Sequence, residues 1–78
     1  MKVLVKLFGP LRQLVSDYPE EGIELEARPG EAGADVLARL GITRSQRAVL
    51  VVDGLIAKQT DPLRDGASLN VFLPLDGG

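Results

Sequence analysis

No cysteine, histidine or tryptophan occurs in the 78 residues. Without cysteine there is no disulfide framework and no thiol-ligated cluster, which fits a reducing compartment. Without histidine as well, the chain lacks the usual residues for zinc ligation, thiol nucleophiles and proton transfer near neutral pH. An excess of one charge is missing too: nine Lys and Arg against eleven Asp and Glu leave a formal net charge of −2, and Glu20-Glu21 is the longest run of like charge. No basic stripe argues for nucleic acid, and no apolar run approaches the length of a membrane span. Met1 leads straight into an alternating strand rather than a leader, so a soluble, cytoplasmic protein is expected. A single domain of this length buries only about 60% of its unfolded surface. Its core is thin, and a carrier or binding module suits it better than an enzyme with a cleft.

What is present is period-two alternation. Lys2 to Leu7 puts Val3, Val5 and Leu7 on one face and Lys2, Leu4 and Lys6 on the other, the pattern of a strand with one buried face. Phe8 continues the outward parity. Gly9-Pro10 breaks the strand and opens a short helix, with Leu11, Leu14 and Val15 at helical spacing, which Ser16-Asp17-Tyr18-Pro19 ends. Gly22 to Arg28 alternates again, with Ile23, Leu25 and Ala27 inward. Paired antiparallel with the first strand, it sets Glu24 and Glu26 beside Lys2 and Lys6. After Pro29-Gly30, Asp35 to Leu40 reads as a helix burying Val36, Leu37 and Leu40, with Gly41 at its C-terminal cap. Its start looks poor: Glu31 to Ala34 offers no Ser, Thr or Asn cap, and Gly33 costs about 1 kcal/mol against alanine inside a helix.

Ile42 to Arg47 reads as a polar connection and Ala48 to Val52 as an apolar strand. Asp53-Gly54 is a strong two-residue hairpin signal, returning through Leu55-Ile56-Ala57. In the Lys58 to Gly66 loop Leu63 is the core anchor and Asp65-Gly66 the closing turn; turn formation accounts for Asp53, Asp61 and Asp65. Ser68 to Leu73 alternates, with Leu69, Val71 and Leu73 inward and Phe72 outward. The first and last strands carry complete apolar faces and belong near the centre of the sheet. The order predicts an α+β, ubiquitin-like β-grasp: a mixed sheet of about five strands on one main helix, plus a short helix after the first strand.

The sequence ends Phe72-Leu73-Pro74-Leu75-Asp76-Gly77-Gly78. Pro74 cannot donate a ladder hydrogen bond, so the sheet should stop near Leu73. Glycine has no Cβ and lets a backbone approach a surface closely. At about 3.4 Å per extended residue, Leu75 to Gly78 reaches on the order of 13 Å, enough to thread a narrow channel. The expected division is a domain over 1–75 and a flexible tail over 76–78; a frayed terminus without chemistry is the competing reading. Phe8 and Phe72 share an outward face with Leu4, a candidate contact patch. Alternatively, the two rings fold back over the edge of the thin core. Arg12, Arg39, Arg47, Lys58 and Arg64 read as solvated surface charges.

Lys6-Leu7-Phe8-Gly9-Pro10-Leu11-Arg12-Gln13-Leu14, Asp61-Pro62-Leu63-Arg64-Asp65-Gly66 and the Phe72 to Gly78 end together resemble the ubiquitin-like sulfur carriers over essentially the whole chain. The likeness is greater to the small subunit of molybdopterin synthase than to the thiamine-biosynthesis sulfur carrier. The chain departs from the family pattern at Ala32-Gly33, at Ala67 after Asp65-Gly66 and at Asp76 before the glycines. The resemblance implies that a ubiquitin-activating-type adenylating enzyme joins the Gly78 carboxylate to AMP from ATP, and that a sulfur donor converts it to a thiocarboxylate. Sulfur would then pass to a precursor of the molybdenum cofactor in the large catalytic subunit of molybdopterin synthase, or an equivalent acceptor enzyme. The chain itself would bind no cofactor or metal and catalyse nothing alone. Gly77 and Gly78 would be the reacting end, with Phe8, Ile56, Phe72, Pro74, Leu75 and Asp76 meeting the partners. Thiamine synthesis, transfer-RNA thiolation and protein modification use the same tail. An interaction module with an inert tail is the alternative of a different class.

Overall fold

A computed structural model describes residues 1–15, 17–43 and 47–74. Strand β1 (Lys2–Leu7) is followed by a 3-10 helix (Gly9–Leu14), β2 (Ile23–Glu26), helix α1 (Gly33–Arg39), the hairpin β3 (Val49–Val52) and β4 (Leu55–Ala57), and β5 (Ser68–Phe72). The sheet order is β2-β1-β5-β3-β4. The first and last strands are therefore internal, as their complete apolar faces predict. They run parallel, with Leu4 opposite Ser68 and Leu7 opposite Val71, while the other neighbours are antiparallel.

Alternation decides which face is covered. Val3, Val5, Leu7, Leu50, Leu69 and Val71 are buried together with Val36 and Leu37 of α1, Leu11 of the 3-10 helix and Leu63 of the long loop. At roughly 1.5–3 kcal/mol for each large apolar side chain taken from water, these burials are the main favourable contribution to folding. Lys2 lies opposite Glu26 and diagonal to Glu24, and its ammonium is 3.7 Å from the Glu24 carboxylate. Both side chains are about two-thirds exposed, so the pair specifies register more than it stabilises.

Three local expectations are corrected. Leu14, at the last position of the 3-10 helix, is 45% exposed, while Leu11 is buried and Val15, just past the helix end, packs partly against the core. Ile42, expected in a polar connection, is a buried core residue. Gly41, at φ +83, lets the Ile42 N–H bond the Leu37 carbonyl at 3.0 Å and its own N–H bond the Ala38 carbonyl at 3.1 Å. This is the Schellman arrangement, which folds the following apolar side chain under the helix. Helix α1 begins at Gly33 rather than Asp35. Its start is well supported: the Asp35 carboxylate accepts from the Ala32 N–H at 2.9 Å, and the Ala34 N–H donates to the Gln59 carbonyl at 2.8 Å. Gly33 serves close packing, because a Cβ there would lie 2.3 Å from Leu50 Cδ2.

Candidate functional site

The parallel register of β1 and β5 brings the C-terminal ends of both strands together. Phe8 and Phe72 follow from it. The Phe8 N–H donates to the Val71 carbonyl at 3.1 Å, and the two rings stack with centroids 4.5 Å apart and planes 12° from parallel. Such a pair contributes about 0.5–1.5 kcal/mol beyond its area burial. Both residues stay partly exposed. The rings thus cover each other without joining the core, an arrangement between the two readings of the sequence. Gly9, at φ +62, turns the chain away from the sheet. Phe8, Gly9, Pro10, Phe72 and Leu73 line an open apolar depression of about 210 Å³.

The same face continues across the sheet. Phe72 lies opposite Val49, Asn70 opposite Val51, and Val51 opposite Ile56. Directly opposed residues in antiparallel strands share a face, so an apolar band runs from the Phe8–Phe72 stack through Val49 and Val51 to Ile56. Ile56 is 81% exposed. Phe8, Phe72 and Ile56, singled out from sequence, are therefore gathered on one face, and Pro74 is exposed just beyond the stack. Leu75, Asp76, Gly77 and Gly78 lie outside the described residues.

Sequence reasoning missed Val49 and Val51, although Asp53-Gly54 pins the hairpin register and so sets their parity. It also left Arg12 and Tyr18 without a role. The N–H groups of Leu4 and Phe8 point to β5, so by alternation those of Leu7 turn toward β2. Strand β2 begins only at Ile23, opposite Val5. In its place the Tyr18 hydroxyl accepts from the Leu7 N–H at 2.8 Å, and Arg12 Nε donates to the Leu7 carbonyl at 3.0 Å. The guanidinium carbon lies 5.4 Å from the centre of the Tyr18 ring. Leu7 is fully buried, where an unpaired backbone group costs about 1–3 kcal/mol.

Among the described residues no three His, Cys, Asp or Glu side chains come together to hold a metal, and no helix is long and apolar enough to cross a membrane. The described site is a partly exposed apolar surface: a stacked aromatic pair, a depression and an apolar band, beside the segment that leads to Gly77-Gly78.

Five strands in a mixed sheet, with the first and last parallel at its middle and one helix packed across, define a ubiquitin-like β-grasp protein. The sequence profile of the ThiS family matches residues 5–78, and the chain belongs to that family of ubiquitin-like sulfur carriers. Among solved structures, a Pyrococcus furiosus protein provisionally assigned as molybdopterin converting factor subunit 1 superposes with a TM-score of 0.73 at 23% identity, over 95% of this chain and 98% of that one. Small archaeal modifier protein 1 of Haloferax volcanii gives 0.73 at 16% identity, over 95% and 98%. A chain from the complex of subunits 1 and 2 of the Helicobacter pylori molybdopterin-converting factor gives 0.62 at 21% identity, over all of both chains. At these identities the likeness establishes the fold. No curated protein matches the sequence.

Proposed function

We propose that the chain is a sulfur carrier whose Gly78 carboxylate is converted to a thiocarboxylate that donates sulfur in molybdenum cofactor biosynthesis. The observation that carries this reading is the family match, which runs through Gly77 and Gly78 themselves. The chemistry follows from the carboxylate being a poor electrophile. A Gly78 oxygen attacks the α-phosphorus of ATP on an adenylating partner, and pyrophosphate leaves. A sulfide-equivalent nucleophile then attacks the acyl carbon, AMP leaves with the bonding pair, and the product is the thiocarboxylate. Its anionic sulfur attacks an electrophilic carbon of the acceptor, and the group displaced there leaves with the bonding pair. Hydrolysis of the acyl–sulfur bond leaves sulfur on the acceptor and returns the carboxylate. Groups that stabilise the phosphoryl charge belong to the partners, and ATP is bound by the adenylating enzyme rather than by this chain.

The apolar band suits docking, since buried aromatic and aliphatic anchors carry most of the energy of an interface. Two of the structural relatives favour the molybdenum pathway, and the Helicobacter pylori complex of subunits 1 and 2 supports a larger catalytic subunit as the acceptor. The likeness to a small archaeal modifier protein supports a second reading, in which the activated tail joins target amines. Intact mass after incubation with host extract, ATP and a sulfur source separates them. A gain equal to one sulfur for one oxygen, lost when Gly78 is deleted, supports the carrier. Covalent conjugates without that species support the modifier. A chain inert in both assays, with partner binding indifferent to the tail, is an interaction module.

A further inference from the structure

We infer that Arg12 and Tyr18 are positioning residues for the docking surface: together they complete the end of β1 where β2 falls short, and so preform the Phe8–Phe72 stack. This rests on the reading of that stack as a partner contact. β1 and β2 differ in length. Strand β1 runs to Leu7, while β2 starts opposite Val5. One buried residue of β1 therefore has an N–H and a carbonyl facing an edge that no strand covers. Tyr18 and Arg12 supply the acceptor and donor that a longer β2 would have offered.

The two side chains also hold each other, the guanidinium lying over the phenol ring at a distance suited to cation–π attraction. The next residue is Phe8. Its backbone is extended, with φ −124 and ψ 149, and its own N–H is bonded to β5 on the other side. Phe8 is thus the first residue beyond a strand end clasped from both edges, just before Gly9 turns the chain away. Loosening the Leu7 side frees the strand end to fray. The ring of Phe8 then has two arrangements instead of one, and the depression lined by Phe8, Pro10 and Phe72 loses its fixed wall. A preorganised anchor binds more tightly than a mobile one because less side-chain freedom is lost on association. Arg12 is exposed, and its described contacts are with the Leu7 carbonyl and the Tyr18 ring.

Tyr18→Phe removes one hydroxyl and keeps the packing. In the free chain, NMR should show faster hydrogen exchange at the Leu7 amide by about fivefold or more, as leaving that buried donor unpaired carries about 1–3 kcal/mol, and weaker ring-to-ring contacts between Phe8 and Phe72. With the adenylating enzyme purified from the source organism, chain-dependent ATP–pyrophosphate exchange should show a raised KM for the chain at unchanged kcat. Global stability, measured separately by urea unfolding, corrects the exchange rates for any general loosening. Arg12→Lys keeps the charge but not the guanidinium fork, and should behave like Arg12→Gln. If Arg12→Lys matches the wild type while Arg12→Gln fails, the charge itself is the contact and the positioning role is overturned. Wild-type ring contacts in Tyr18→Phe overturn it as well, as does an unchanged KM when those contacts are lost. If the wild-type chain supports no exchange, the carrier reading falls, and the clasp stands or falls on the ring contacts of the free chain.

Discussion

The two ends of the sheet are built in opposite ways. At the end holding the β3–β4 turn, carboxylates close the backbone. Asp53 accepts from the Ser68 N–H at 3.0 Å while its own N–H bonds the Ser68 carbonyl at 2.9 Å. Asp65 accepts from the Lys2 N–H at 2.8 Å, and the Gly66 N–H returns to the Lys2 carbonyl at 2.7 Å. Asp53 and Gly54, at φ +50 and +87, form the type of turn that matches strand twist. At the other end, Phe8, Pro10, Phe72 and Leu73 face a depression whose described lining carries no charged side chain. Backbone polar groups satisfied by aspartates leave little for a partner to take up, whereas apolar surface left half-exposed is free energy that only a partner can collect. One end ties the backbone down with carboxylates; the other leaves exposed the apolar surface that the proposed carrier reading assigns to docking.

Perturbing each end tests that division. The largest effect is expected from deleting Gly78: thiocarboxylate formation is abolished while the urea midpoint is unchanged. Next, Phe72→Ala should weaken adenylating-partner binding by about 30-fold or more, as loss of a central aromatic anchor does, measured by titration calorimetry. Gly33→Ala tests the scaffold alone. Its new Cβ meets Leu50 and should cost about 1–3 kcal/mol as overpacking, lowering Tm by roughly 4–8 °C per kcal/mol, with docking intact once folded. Asp65→Ala should cost about 1 kcal/mol, one net hydrogen bond, and leave partner binding alone. Ile56→Ala tests the far limit of the apolar band, which reaches the turn end of the sheet: stability should stay within about 0.5 kcal/mol of the wild type because the side chain is exposed, yet partner affinity should fall. Equal losses of stability and binding in both halves of this series would show that the ends are not distinct.

Much of this was legible in the residues. Period-two alternation located β1, β2 and β5 and their buried faces, and Asp53-Gly54 announced the hairpin. The candidate surface was half legible: Phe8 and Phe72 were seen on an outward parity, but their stacking depends on a parallel pairing across some sixty residues of chain, which parity does not contain. Ile42 was misread because polar neighbours masked it. Its burial comes from a hydrogen-bond pattern that Gly41 permits. Arg12 read as a solvated charge because its partners, a carbonyl five residues back and a tyrosine in the next loop, are set by the turn between them.

By itself the sequence determined the local grammar: strands from alternation, turns from Asp-Gly, the strand end from Pro74, and the chemistry available to a chain with neither cysteine nor histidine. Those follow from side-chain period and backbone conformational preference, which are properties of a few neighbouring residues. Tertiary structure decided that α1 starts at Gly33: the local Asp35–Ala32 contact is available from sequence, but the Ala34 N–H is taken by Gln59 and the glycine is required by Leu50. It likewise decided that two distant phenylalanines form one surface and that Tyr18 and Arg12 finish a strand. Each of these depends on contacts between residues far apart in the chain, and such contacts exist only once the sheet has closed.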